Sequence, residues 1–202
     1  MAKQEVSPIG RYCFGSIRDL AEDLSKRPAW EAHIEIDDKL AAGMFEIVEQ
    51  TISEGYKKFS SAWPKDMDKL NRPFKPATDK SESGVRVPKE GFHLWKFKRM
   101  GFKTGNDGKK QKNTPPQIIS AKGVVCKTDE RPNVGNGSTG KVIFAPYPYS
   151  IAGQNGVGFR LIGFQIAELR ETEEVISLPP IEGGWEPEGR ETDIDLSALV
   201  SA

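Results

Sequence analysis

Four aromatic residues and four cations interleave between Phe92 and Lys103, in the stretch FHLWKFKRMGFK. Rings beside fixed positive charge suit a single-stranded nucleic acid, whose bases stack on the rings while its phosphates meet Lys or Arg. In a strand, Trp95, Phe97, Arg99 and Lys103 share one face, and Leu94, Lys96, Lys98, Met100 and Phe102 share the other. Neither face is purely apolar. The competing reading is an edge strand whose lysines blunt aggregation.

A second ring pair lies in Pro146-Tyr147-Pro148-Tyr149. Alternation sets both tyrosines on one face and both prolines on the other. Proline donates no ladder hydrogen bond, so this segment reads as an edge or a strand end. Two neighbouring tyrosines there make a stacking platform, the reading favoured over a rigid turn with its rings on the core.

Other chemistry is weaker. Gly135 to Lys141, GNGSTGK, fits most of a phosphate-binding loop, but Val142 stands where a magnesium-holding Ser or Thr belongs, and the residues after it read as a strand. ATP binding is rejected on that ground. Glu35, Asp37 and Asp38 with Lys39 outline an acidic centre, which gives the alternative reading: a metal-dependent nuclease or nucleotide-processing enzyme. Acids at a strand-to-helix junction are more often helix caps. Cys13, Cys126, His33 and His93 lack zinc-site spacing, and no Ser-His-Asp pattern occurs. The expectation is no catalytic residue, no metal and no cofactor.

These residues need elements to hold them. Arg11–Arg18 reads as a short strand broken by Gly15, and residues 19–29 as a loop or short helical turn. Trp30–Ile36 alternates as a half-buried strand with His33 on its polar face. Asp37-Asp38 is expected to open one helix, whose stripe of Leu40, Met44, Val48, Ile52 and Tyr56 runs to about Phe59, where Lys57 and Lys58 suit its end. Residues 60–91 carry four prolines and no period, and read as a long connection with Trp63 and Phe74 pinned to the body. Residues 104–116 suit a hairpin tip bearing Lys109, Lys110 and Lys112. Strands are expected over 117–127, 141–149 and 158–169. In the last, Phe159, Leu161, Gly163, Gln165 and Ala167 oppose Arg160, Ile162, Phe164, Ile166 and Glu168. Many short strands with Gly and Pro turns and one helix give a small β-barrel or sandwich, mainly β in class.

The 202 residues carry no net formal charge, yet residues 57–141 hold 20 basic against 8 acidic residues, and 168–202 hold 2 against 10. A basic middle with an acidic end implies an anionic ligand and a tail that competes for its site. No apolar run approaches membrane-spanning length, and the N-terminus lacks a secretion-signal core.

Taken in order, RYCFGSI, WEAHIEIDD, the aromatic-lysine strand WKFK, APYPYS and GVGFRLIGFQIAEL resemble the single-stranded DNA-binding proteins of short-tailed bacteriophages, over roughly residues 9–170. The resemblance implies an OB-like β-barrel with a helix packed on it (1–170) and a flexible acidic tail (171–202). It implies a non-enzymatic protein that coats single-stranded DNA in phage replication, recombination and repair, in the cytoplasm of the infected bacterial host. Tyr147 and Tyr149, with Trp95 and Phe97, are the expected stacking residues. Arg27, Lys96, Lys98, Arg99, Lys103, Lys109, Lys110 and Lys112 are the expected phosphate contacts. Through the tail, the implied partners are a replication polymerase or helicase-primase, with a homodimer as a further arrangement the reading admits. The tail departs from the family pattern: its acids are sparse, and the chain closes on Leu199, Val200, Ser201 and Ala202 rather than on an aromatic residue.

Overall fold

Period-two alternation in long strands builds this molecule, for which a computed structural model describes residues 3–23, 26–81, 84–105 and 108–171. The elements are β1 (Glu5–Val6), β2 (Gly10–Glu22), β3 (Pro28–Asp37), α1 (Ala42–Phe59), β4 (Phe74–Lys80), β5 (Arg86–Met100), β6 (Phe102–Thr104), β7 (Lys110–Lys112), β8 (Gln117–Ile119), β9 (Thr139–Ile151) and β10 (Gln154–Glu168). Strands β2, β3, β5, β10 and β9 pair in that order, and β9 returns to β2 through Gly140 and Thr139. Five strands therefore close a ring. Every seam is antiparallel except β5–β10, which is parallel and sets Phe97 beside Phe159 and Lys98 beside Arg160. This order is that of an OB-like barrel. Strands β1, β4 and β8 extend its edges, while β6 and β7 form a separate hairpin.

The barrel interior is aromatic. Trp95 stacks on Phe159 with ring centroids 5.8 Å apart, and Phe144 lies 4.4 Å from Phe159 and 5.3 Å from Phe97. Met44, Val48 and Ile52 of α1 join this core as one helical stripe. Trp63 is buried against the last turns of α1, its ring 5.2 Å from Tyr56 and 6.0 Å from Phe59.

Several expectations need correction. The acids do not open the helix. Asp37 ends β3, its carboxylate accepts from the Lys39 backbone N–H at 2.8 Å, and α1 begins at Ala42 with no acid in its first turn. Leu40, expected in the apolar stripe, is 60% exposed in the turn before the helix. The stretch 60–91 is more than a connection: β4 pairs with β5 from Phe74 to Lys80, with an irregularity between Pro76 and Thr78. Residues 19–22 continue β2, and after Ile119 the chain leaves the sheet. In β10 the strict alternation fails at a bulge between Leu161 and Gly163, so Phe159, Leu161, Phe164 and Ile166 are all buried. The tail expectation covers residues 171–202, of which only Glu171 is described, bridging to Val134, and the rest lie outside the described residues.

The Gly55–Trp63 contact yields a test with a reversed sign. Alanine in a helix interior is normally favoured over glycine by about 1 kcal/mol. A Cβ at Gly55 would lie 2.0 Å from the Trp63 ring. Gly55→Ala should therefore destabilise by about 1–3 kcal/mol and lower the melting temperature by about 3–10 °C. Calorimetry reads this directly, and an unchanged or raised midpoint contradicts the packing.

Candidate nucleic-acid interface

The alternation that buries Trp95 and Phe97 turns Lys96 and Lys98 outward on β5. Parallel pairing at Lys98 and Arg160 carries this outer face onto β10, and Gly158 pairs with Tyr147 of β9. The result is an open groove of about 620 Å³, lined by Arg27, Arg72, Lys96, Lys98, Tyr147 and Tyr149 among others. Met100, Ile151 and Val157 supply apolar floor and wall.

The two tyrosines share the outer face of β9, with ring centroids 6.2 Å apart. Tyr147 lies down on Gly158, where an added Cβ would come within 2.6 Å of its ring and hydroxyl. A side chain at Gly158 would lift the ring. As it stands, Tyr147 is 41% exposed, and desolvation, with Tyr149 beside it, raises its phenol above the ordinary pKa. Pro146 and Pro148 face the core side opposite Phe159 and Val157, on a stretch of β9 beyond its pairing with β1 and β2. The missing proline N–H groups therefore cost no ladder bond there. A strap from residues 61–73 fixes this end of the hairpin. Trp63 Nε1 donates to the Tyr149 carbonyl (3.1 Å), and Asn71 exchanges backbone bonds with Asn155 and Val157, each 2.9 Å.

Acids come with the cations. Glu31 of β3 lies 2.9 Å from Lys98 Nζ and 3.3 Å from Lys96 Nζ, and Asp23 bonds both Lys98 and Arg27. His33 Nε2 lies 3.4 Å from the other Glu31 oxygen. The His33 contact, with Lys98 and Lys96 behind it, outweighs burial and draws the Glu31 carboxyl down from 4.5 to about 2. Arg72 reaches Glu49 at 3.5 Å. The groove cations are thus held and partly neutralised by neighbouring carboxylates.

Of the expected stacking residues, Tyr147 and Tyr149 line the groove, whereas Trp95 and Phe97 are fully buried. No base reaches those two rings, which do their work inside the core. Of the expected phosphate residues, Arg27, Lys96 and Lys98 line the groove. Arg99 points to the core side and is half-buried, its guanidinium pKa lowered by desolvation and by Arg160. Lys103, Lys110 and Lys112 are exposed on the β6–β7 hairpin, with Lys109 next to it, and none of them lines the groove. The acids of the alternative enzyme reading are engaged elsewhere. Glu35 takes Arg11 (3.0 Å) and Lys89 (2.8 Å), whose bonds prevail over burial and keep its pKa lowered, and Asp38 takes His93 at 2.6 Å. Gly135–Lys141 leads directly into β9, so no helix N-terminus forms there.

Sequence reasoning missed Arg72 in the groove lining and Arg160, which does not line the groove but stands beside Lys98 on the outer face. Arg160 was within reach, since alternation sets it opposite Phe159. Arg72 sits in the proline-rich segment and carried no signal.

The chain matches no protein-family model and no curated protein. Its fold is shared with solved structures. It is similar to gp2.5, a single-stranded DNA-binding protein of bacteriophage T7, with a TM-score of 0.63 and 18% identity, over 89% of this chain and 98% of that one. It is also similar to the single-stranded DNA-binding protein of bacteriophage Enc34 in complex with single-stranded DNA, with a TM-score of 0.58 and 10% identity, over 83% and 88% of the two chains. The fold expected from the sequence resemblance is the fold observed.

The Glu31 cluster makes stability depend on acid pH. Because folding lowers this carboxyl's pKa, its contribution is complete above 4.5 and is lost as pH falls toward about 2. Denaturant unfolding across that window should cost the wild type on the order of 2 kcal/mol more than it costs Glu31→Gln. Parallel losses in the two proteins would show that Glu31 is not so held.

Proposed function

We propose that this protein binds single-stranded DNA without sequence preference, as a non-enzymatic coat in phage DNA replication, recombination and repair, within the infected bacterial cell. The observation that carries this is the groove itself: Tyr147 lying flat and open over Gly158, Tyr149 beside it, and Arg27, Arg72, Lys96 and Lys98 around them. Stacking accepts any base, because every base has a π-face, and the cations meet the backbone. The lining offers rings and charge rather than side chains arranged to read base edges, which favours sequence tolerance. Fold likeness to two phage proteins named for single-stranded DNA binding, one of them solved with that ligand, supports the same reading. In this reading, the acidic residues beyond 171 are the part that competes for the groove or engages replication proteins.

Binding of a labelled oligonucleotide, titrated with salt, tests the proposal. Neutralising about five phosphates gives a log–log slope near −3.5, from roughly 0.7 per contact on a single strand. Equal affinity for duplex, or no salt dependence, contradicts it. Tyr147→Ala and Tyr149→Ala should each weaken binding about tenfold to a hundredfold with an unchanged melting temperature. Replacing Lys96 and Lys98 together with Ala should flatten the slope, and more so than replacing Lys110 and Lys112 on the separate hairpin.

A further inference from the structure

Phe14 is an aromatic residue 46% exposed on β2, a strand whose other ring, Tyr12, is buried in the core. Two residues apart in an unbroken strand, the pair would share a face. A bulge between Tyr12 and Phe14 in the pairing with β3 separates them and turns Phe14 outward. There it stacks on His33, with ring centroids 4.0 Å apart and planes 20° from parallel. His33 covers one side of the ring, and the ring's exposure lies away from it.

This stack belongs to the same outer face as the groove. Phe14 pairs with His33, and His33 pairs with Lys96. The parallel seam that joins Phe97 to Phe159 brings Lys96 alongside Gly158, which pairs with Tyr147. Phe14, His33, Lys96, Gly158 and Tyr147 thus form one transverse row over five strands. Measured along the curved outer surface, the path between its two aromatic ends is four inter-strand steps of about 4.8 Å, about 19 Å in all. Between them stand Lys96 and, one row along, Lys98 with Arg160. Glu31 ties the two ends together, since it contacts His33 on one side and the groove lysines on the other.

We propose that Phe14, backed by His33, is a second base-stacking site, taking a nucleobase of a strand whose phosphates cross Lys96 and Lys98 and whose other bases lie at Tyr147 and Tyr149. This rests on the reading of the groove as a single-strand site and extends its track to the opposite end of the row. A cross-strand pair that only stiffens β2 against β3 is the competing account. That account does not explain why a bulge turns the ring out to solvent in line with a row of cations.

The test uses the full chain and two oligothymidylates, one of about four nucleotides and one of about fifteen, spanning the sites that OB folds cover. Phe14→Ala should weaken binding of the longer oligonucleotide about tenfold to a hundredfold and leave the shorter unchanged, while Tyr147→Ala weakens both. Phe14→Trp should keep the wild-type affinity, and its emission should be quenched by the longer oligonucleotide beyond any change in the wild type. If Phe14→Ala lowers the melting temperature, Phe14→Leu, which keeps apolar contact without a π-face, should show the same selective loss. Wild-type affinity of Phe14→Leu or Phe14→Ala for the longer oligonucleotide overturns this site and leaves the groove standing. Failure of the wild type to bind either oligonucleotide overturns the groove and this site together.

Discussion

One register, at the parallel seam between β5 and β10, sets both faces of this barrel. Pairing Phe97 with Phe159 stacks the interior, and pairing Lys98 with Arg160 in the same step assembles the outer face. A slip of one residue would send each ring outward and each cation into the core. The aromatic core therefore enforces the position of the charges. The same register sets two cations, Lys98 and Arg160, side by side. Asp23 and Glu31 are the counterweight: they reach Lys98 from β3 and from the turn before it. With ligand absent, these acids hold the lysines in place.

The sequence was legible where one rule governed a whole element. Trp30–Ile36 alternates, and Trp30, Ala32, Ile34 and Ile36 are buried as that pattern requires, with Glu35 of the other face buried as well, while Met44, Val48 and Ile52 follow the helical period onto the core. Tyr147 and Tyr149 were readable because two prolines fix both the face and the free edge of β9. Legibility stopped where a local event reset the pattern. The bulge after Leu161 brings Phe164 and Ile166 to the side of Phe159, and the bulge at Cys13 sends Phe14 away from Tyr12. Neither leaves a periodic mark. Trp95 and Phe97 were misread as surface rings because the lysines around them and His93 and Arg99 on their own face made both faces look mixed.

Partners distant in sequence were the other blind spot. Lys98 and Asp23 are 75 residues apart, and Trp63 reaches Tyr149 across 86. Such contacts come from barrel closure and from the strap of residues 61–73 over the β9–β10 hairpin, both consequences of topology. The strap braces the end of the strand that bears the two tyrosines, which matters to the proposed stacking role. A stacking surface contributes most when it is rigid before the ligand arrives, since little ordering remains to be done on binding.

The most direct measurement is a map of backbone amide shifts by nuclear magnetic resonance as oligothymidylate is added to the full chain. The account predicts that the largest changes fall on Tyr147, Tyr149 and Gly158 and on Lys96 and Lys98, on one face of the barrel. Changes confined to the β6–β7 hairpin or to the far end of β4–β5, with those five amides unmoved, would contradict it.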